Sequence, residues 1–189
     1  MVPVKFLLAG ARELEPLRQG SLSYLCSVYS VLNGIQLALY PITLKRVDQQ
    51  AIYLAGIAHL AKKRRLRQAM GQGMHDGAWH DLAAAMIETT NERCRSSLKL
   101  QTSFHADHRR DVVLRRLRRI LYDGSPVLLP IYGTYDHFTV VAGYTPQRLQ
   151  LFDSAGMHWI AIDHTTFAEQ AITRHRTPIS SICAILDDW

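Results

Sequence analysis

Cysteine is scarce in this chain of 189 residues: three stand at wide spacings, at positions 26, 94 and 183. An odd, dispersed set excludes the disulfide framework of a small secreted domain and points to reduced thiols made in a reducing compartment. Long apolar runs are missing as well. The longest, Val127 to Ile131 and Ile179 to Leu186, fall far short of the roughly 20 residues that cross a bilayer, so no membrane span is expected. The first residues, Met-Val-Pro-Val-Lys-Phe-Leu-Leu-Ala-Gly, lack the basic head, longer apolar run and cleavage site of a signal peptide and read as a first strand near Val4 to Leu8. Cytoplasmic synthesis is the expectation, with delivery by a signal-peptide-independent secretion system left open. Repeats, low-complexity tracts and long linkers are absent too, so 1–189 is expected to be one domain. Its 48% hydrophobic content suffices for a core without metal or disulfide staples.

Acidic charge is in the minority, and the net charge of +6 comes largely from two clusters. One is Lys62-Lys63-Arg64-Arg65-Leu66-Arg67, and the other runs from Arg109-Arg110 through Arg115-Arg116 to Arg118-Arg119. Such clusters can bind phosphates or acidic proteins. In the second, Val113, Leu114, Leu117, Ile120 and Leu121 recur at helical spacing, so its arginines are expected on the wet face of an amphipathic helix. No aromatic residue interleaves them, which argues against stacking on single-stranded nucleic acid.

Periodicity divides the chain into a helical first two thirds and a strand-rich last third, the polarity of an α+β fold. A helix is expected from about Cys26 through Val28, Val31, Leu32, Ile35 and Leu39, stopped by Pro41. Asp48 is the candidate cap of a second helix reaching Leu66, and Asp76 of a third reaching about Arg95. Five strands follow, at Val127–Tyr132, His137–Tyr144, Leu149–Phe152, Trp159–Ile162 and Ile179–Leu186, suggesting an antiparallel sheet. A turn at Tyr144-Thr145-Pro146-Gln147-Arg148 makes neighbours of the second and third strands. His137 and Asp153 then lie at the same end of adjacent strands, within hydrogen-bond reach.

That geometry carries chemistry. A thiol is a good nucleophile only as thiolate, and a helix N-terminus with a neighbouring imidazolium favours that form. Cys26 has the helix start. A histidine can take the thiol proton and return it to a leaving group, while a carboxylate on its far nitrogen fixes tautomer and orientation. His137 and Asp153 suit those two roles. Asp136 is the rival orienting group, but neighbours on a strand point to opposite faces. Asn33, two helical turns beyond Cys26 on nearly the same face, reads as a buried polar contact.

The stretch Gln19-Gly20-Ser21-Leu22-Ser23-Tyr24-Leu25-Cys26-Ser27-Val28-Tyr29-Ser30-Val31-Leu32-Asn33-Gly34 resembles the nucleophile segment of papain-fold cysteine peptidases, in particular bacterial C39-like peptidases. Asp136-His137-Phe138-Thr139-Val140-Val141-Ala142-Gly143-Tyr144 and Leu149-Gln150-Leu151-Phe152-Asp153-Ser154-Ala155-Gly156 are similar to that group's histidine and aspartate strands, and the order Cys, His, Asp is the family's. The resemblance implies a papain-like fold, a helical half packed on an antiparallel sheet, and a catalytic triad of Cys26, His137 and Asp153. It also implies Gln19 as oxyanion-hole donor, although Gln19 stands seven residues before Cys26 where the family has six, and Ser27 replaces the glycine that commonly follows the nucleophile. The region from Pro41 to Gly124 carries no part of the resemblance.

The function these residues imply is a cysteine peptidase or amidase acting by acyl transfer on a protein or peptide. Deamidation, transglutamination and acyl transfer to another acceptor are variants of the same chemistry. A small basic chain of this kind also resembles a delivered bacterial toxin effector with an inhibitory partner protein. The alternative is a non-catalytic papain-like scaffold docking an acidic protein or nucleic acid on its basic helices. No cofactor is expected, and no metal: His105 with His108, and His75 with His80, have no further ligand pattern to complete a site. Cys94 and Cys183 read as structural. His158 and His164 flank a strand, and Trp79, Trp159 and Trp189 are expected to pack the core or its edge, Trp159 being the one that could instead wall a cleft near Asp153.

Overall fold

The computed structural model describes residues 3–20, 24–71, 74, 76–102, 109–133, 135–169 and 175–187, without the Asp76 side chain. The helices are α1 (Gly10–Glu13), α2 (Cys26–Ala38), α3 (Arg46–Lys62), α4 (Leu66–Gly71), α5 (Asp76–Cys94) and α6 (Arg110–Tyr122). The strands are β1 (Phe6–Leu7), β2 (Leu98–Gln101), β3 (Val127–Gly133), β4 (His137–Tyr144), β5 (Arg148–Leu151), β6 (Trp159–Ala161), β7 (Thr165–Thr166), β8 (His175–Arg176) and β9 (Cys183–Asp187). The main sheet runs β2-β9-β3-β4-β5-β6 with every pair antiparallel. The fold is therefore α+β. Among the described residues no helix is long and apolar enough to cross a membrane.

Helix α2 is the hub. It is apolar around most of its circumference, as a helix enclosed on all sides must be, and it packs against α3 and α5 on one side and β4 and β9 on the other. Val28, Val31 and Ile35 have no exposed surface, and burying each contributes about 1.5–3 kcal/mol. Gly34 sets how near the sheet the helix can come, because a Cβ there would lie 2.7 Å from the Leu128 side chain and 3.0 Å from Ile185. Gly143 does the same for the sheet's edge. Its absent Cβ would stand 2.4 Å from the Phe6 carbonyl, and the irregular register between Val141 and Gly143 falls just where β1 pairs with the end of β4.

Several expectations need correction. Asp48 does not cap α3: the helix starts from Lys45, which makes no side-chain cap, and Asp48 sits in the first turn with its carboxylate 2.8 Å from Arg93 of α5. The second helix does not reach Leu66 unbroken. Arg64 turns left-handed (φ 57°), and Arg64 N–H donates to Ala61 O while Arg65 N–H donates to Leu60 O at 2.8 Å. That is a Schellman closure formed without glycine, and α4 starts afresh after it. The expected strand Ile179–Leu186 begins with a 3-10 turn over Ile179–Ser181, following Pro178, so that only Cys183–Asp187 forms β9. Strands β2, β7 and β8 were not anticipated, and β7 pairs parallel with β8. Whether Asp76 caps α5 lies outside the described residues.

Helix α6 carries its arginines as expected, over buried Val113, Leu114, Leu117 and Leu121. One departs from the wet face: the Arg118 guanidinium lies 5.4 Å from the centroid of the Tyr144 ring.

Candidate active site

Cys26 is the first residue of α2, where the leading N–H groups of a helix have no intrahelical acceptor and the dipole is positive. It is nearly fully buried, with 2% exposed, and its Sγ lies 3.6 Å from the carbonyl oxygen of Tyr24. His137 opens β4, and Asp153 follows β5, which is hydrogen-bonded to β4. The turn between them is closed by Thr145 N–H donating to Arg148 O at 2.8 Å, with the Thr145 hydroxyl accepting from Arg148 N–H. The register that results sets His137 Nε2 at 2.6 Å from Asp153 Oδ1. Asp136, the rival, is exposed while His137 is buried.

The carboxylate is held from both sides. Oδ2 accepts from the N–H groups of Ala155, at 2.8 Å, and Met157, at 3.1 Å, so the residue that makes the turn is also the one that grips the imidazole. Burial pushes the Asp153 carboxyl up, but the hydrogen bond and charge of His137 outweigh it and hold the group below the usual carboxylate range. Burial likewise works against a charged His137. The hydrogen bonds and charges of Asp153 and of Cys26 on its other side overcome that and raise it to about 9. With Nε2 committed to Asp153, Nδ1 is the nitrogen left for Cys26. All three side chains are buried, and the hydrogen bond from imidazole to carboxylate is the direct link that the geometry gives among them.

Asn33 and Gln36 of α2 supply a second layer of order. Asn33 Oδ1 accepts from Leu17 N–H at 2.8 Å, its Nδ2 donates to Leu17 O at 3.2 Å, and Gln36 Nε2 donates to Glu15 O at 3.0 Å. The polar reading of Asn33 holds. These bonds pin residues 15–17 along the helix and lead the chain to Gln19, whose N–H donates to Ser154 O at 3.1 Å. Gln19 is thereby set beside the residue following Asp153, with its Oε1 buried and making no hydrogen bond among the described residues. Residues 21–23, between Gln19 and the thiol, lie outside the description. Ser27 is fully buried.

One contributor was missed as such. Trp79, read only as a core residue, has no exposed surface, donates its indole N–H to the Ser27 carbonyl at 3.0 Å, and packs its ring 4.4 Å from that of Phe138. It touches the residue after the cysteine and the residue after the histidine. Its position on a polar-patterned helix far along the chain offers no local signal of this.

Cys183 is fully buried in β9, and burial alone pushes its thiol far up. Cys94 is half-buried at the end of α5 and is also raised by burial. Among the described residues no histidine acts on either, as His137 acts with Cys26. His80 lies 3.1 Å from the Ser181 carbonyl, while His75, His105, His108 and Trp189 lie outside the described residues. No group of three or more potential metal ligands occurs among the described residues. Trp159, expected to pack the core or its edge, is instead half exposed, stacks under Arg148 at 3.9 Å, and lines an open groove with Met157.

No protein-family model, curated protein or solved structure matches the chain.

Proposed function

We propose that this chain is a papain-like thiol hydrolase, a cysteine peptidase or amidase that works through an acyl-enzyme on Cys26. The observation that carries the reading is His137, held between the helix-start cysteine and a buried aspartate 2.6 Å away. A buried imidazole raised to about 9 is protonated at neutral pH and ready to give that proton up only within a reaction. A structural histidine has no need of both a thiol and an orienting carboxylate.

The chemistry follows from the geometry. The Cys26 thiolate forms an S–C bond to the substrate carbonyl carbon, and the carbonyl π electrons move onto oxygen. The Cys26 backbone N–H, at the head of α2, is one candidate donor to that oxyanion, with Gln19 the candidate for the second; loss of one such donor costs about a hundredfold or more. On collapse the C–N bond breaks, its electron pair stays on the amine nitrogen, and His137 delivers the proton there. Water then attacks the thioester, gives a proton to His137, and the sulfur leaves as thiolate. Glutamine deamidation follows the same steps with ammonia as the leaving group, and transglutamination substitutes another amine for the water.

The rival reading, a scaffold that docks polyanions on α6, finds less support. Arg115 pairs with Asp111 at 3.3 Å, Arg119 with Asp123 at 2.9 Å, Arg110 with Asp163 at 3.6 Å, and Arg118 stacks on Tyr144. Much of the positive face is answered from within the molecule.

The test is the pH dependence of iodoacetamide alkylation, mapped by mass spectrometry on the native protein and on His137→Ala. Rapid labelling of Cys26 near pH 6 that disappears in the variant is the expected result. Labelling that rises only in the range of an ordinary thiol, above about pH 8, and is indifferent to the substitution would end the proposal.

A further inference from the structure

Val141 of β4 lies opposite Leu151 of β5, and the Phe152 N–H donates to the Val140 carbonyl at 2.9 Å. Continued by one residue, that register sets Asp153 directly across from Thr139, whose neighbour on the other side is Leu129 of β3. Facing residues on adjacent strands stand about 4.5–5.5 Å apart at Cβ, and Thr139 shares its face of β4 with His137, two residues before it. Hydroxyl, imidazole and carboxylate therefore meet in one corner of the sheet. Thr139 is 1% exposed, and its Oγ1 completes a hydrogen bond of good geometry with none of the described residues. Left like that, a sealed hydroxyl is a cost that valine would not carry. Yet it acts on Asp153: burial pushes that carboxyl up, and His137 and then the Thr139 hydroxyl hold it down.

We propose that Thr139 is a positioning residue whose hydroxyl donates to the Asp153 carboxylate and closes on it when His137 surrenders its proton. This role rests on the proposed thiol chemistry. In the resting site Oδ1 faces the imidazole at 2.6 Å, and Oδ2 accepts from the N–H groups of Ala155 and Met157. A carboxylate has about four acceptor sites, so one remains for the hydroxyl. Once His137 has passed its proton to the departing amine, the ring is neutral and Asp153 has lost the positive charge it was bonded to. A buried anion in that condition is costly, and the Thr139 O–H is the donor placed to offset it. Catalytic hydrogen bonds are often loose before substrate arrives and tighten during the reaction, which accounts for the incomplete contact at rest.

The experiment compares the native protein with Thr139→Val, which keeps the side chain's shape without its hydroxyl, and Thr139→Ser, which keeps the hydroxyl. The Asp153 carboxyl carbon is titrated by NMR, and iodoacetamide alkylation of Cys26 is followed across the acid range. In Thr139→Val the carboxyl midpoint should rise toward the ordinary carboxylate range. Alkylation on the acid side should fall by about tenfold or more, the worth of one hydrogen bond to a charged group, because a protonated Asp153 no longer supports the imidazolium beside the thiol. Thr139→Ser should restore both. His137 and Cys26 are the titratable groups joined to Asp153, and Arg12, Glu15, Arg18 and His158 share a cavity with it. All six are the same in the three proteins, so the difference between them reports the hydroxyl. An Asp153 midpoint unchanged in Thr139→Val, in a variant as stable to urea as the native protein or more so, overturns the proposal, as does a midpoint that moves while alkylation stays the same. An unactivated Cys26 in the native protein brings down the hydrolase and the positioning role with it, while the Asp153 titration decides separately whether the hydroxyl holds the carboxylate.

Discussion

Two polar regions of this molecule are built in opposite ways. Along the seam between α2 and the β4–β5 pair, Cys26, Asn33, His137 and Asp153 are buried, and each polar side chain meets a partner within the seam or in the backbone it organises. On α6 the arginines are numerous and largely exposed, and they answer to neighbours one helical turn away, as Arg115 does to Asp111 and Arg119 to Asp123. Charge in plenty marks the second region, yet substitution there should change little, because exposed pairs are screened and contribute about 0–1 kcal/mol. The seam holds few groups. Removing any one of them strands another in low dielectric, which costs more than the lost bond itself.

That contrast can be broken at either end. The largest effect belongs to Cys26→Ala, which leaves the fold intact and should abolish turnover of any acyl substrate, by about 10⁴-fold or more. Next is Asp153→Ala. It leaves His137 without its orienting charge, should lower activity by about 10²–10⁴-fold, and should return the imidazole's titration from about 9 toward its ordinary range, read by NMR.

Stability should follow the same pair. A histidine raised to about 9 from 6.5 contributes its full stabilisation below pH 6.5 and loses it as pH climbs through 9. The lowered Asp153 contributes above about pH 4 and loses its share as pH falls through its depressed value. The pair is therefore at full strength between about pH 4 and 6.5. Urea unfolding at pH 6 and pH 9 should differ by on the order of 3 kcal/mol from this source, and His137→Ala should flatten the difference.

Asn33→Ala comes next, at about 1–3 kcal/mol, since it leaves both the N–H and the C=O of Leu17 without their partner. Smallest of all, the paired change Arg115→Ala with Arg119→Ala should stay within about 0.5 kcal/mol of the native stability. A destabilisation as large as that of Asn33→Ala would erase the distinction between seam and surface.

The sequence showed the seam better than it showed the sheet. The full extent of β4 was legible because an apolar run begins at His137 and ends at a turn with its own closing bonds. Leu98-Lys99-Leu100-Gln101 has nothing comparable. It is a strand because β9 pairs with it from across the chain, a fact of long-range partnership that four local residues do not carry. The two-residue β7 and β8 exist for the same reason. The break between α3 and α4 hid behind Arg64, a residue whose type gives no hint of the left-handed turn it makes. In the seam, Cys26, His137 and Asp153 were each readable from a helix start, a strand start and a turn. Trp79 was not, since its hydrogen bond spans 52 positions, and nothing in the sequence signals the attachment of Gln19 to Ser154.

The most direct test of the account is the titration of His137 itself, followed through its imidazole carbon-bound protons in the native protein and in Cys26→Ala. A midpoint near 9 in the native protein that falls when the sulfur is removed would place thiol, imidazole and carboxylate in one coupled unit. A midpoint at or below the ordinary 6.5, unmoved by the loss of Cys26, would mean that burial alone governs the ring and that the three groups are neighbours without a shared purpose.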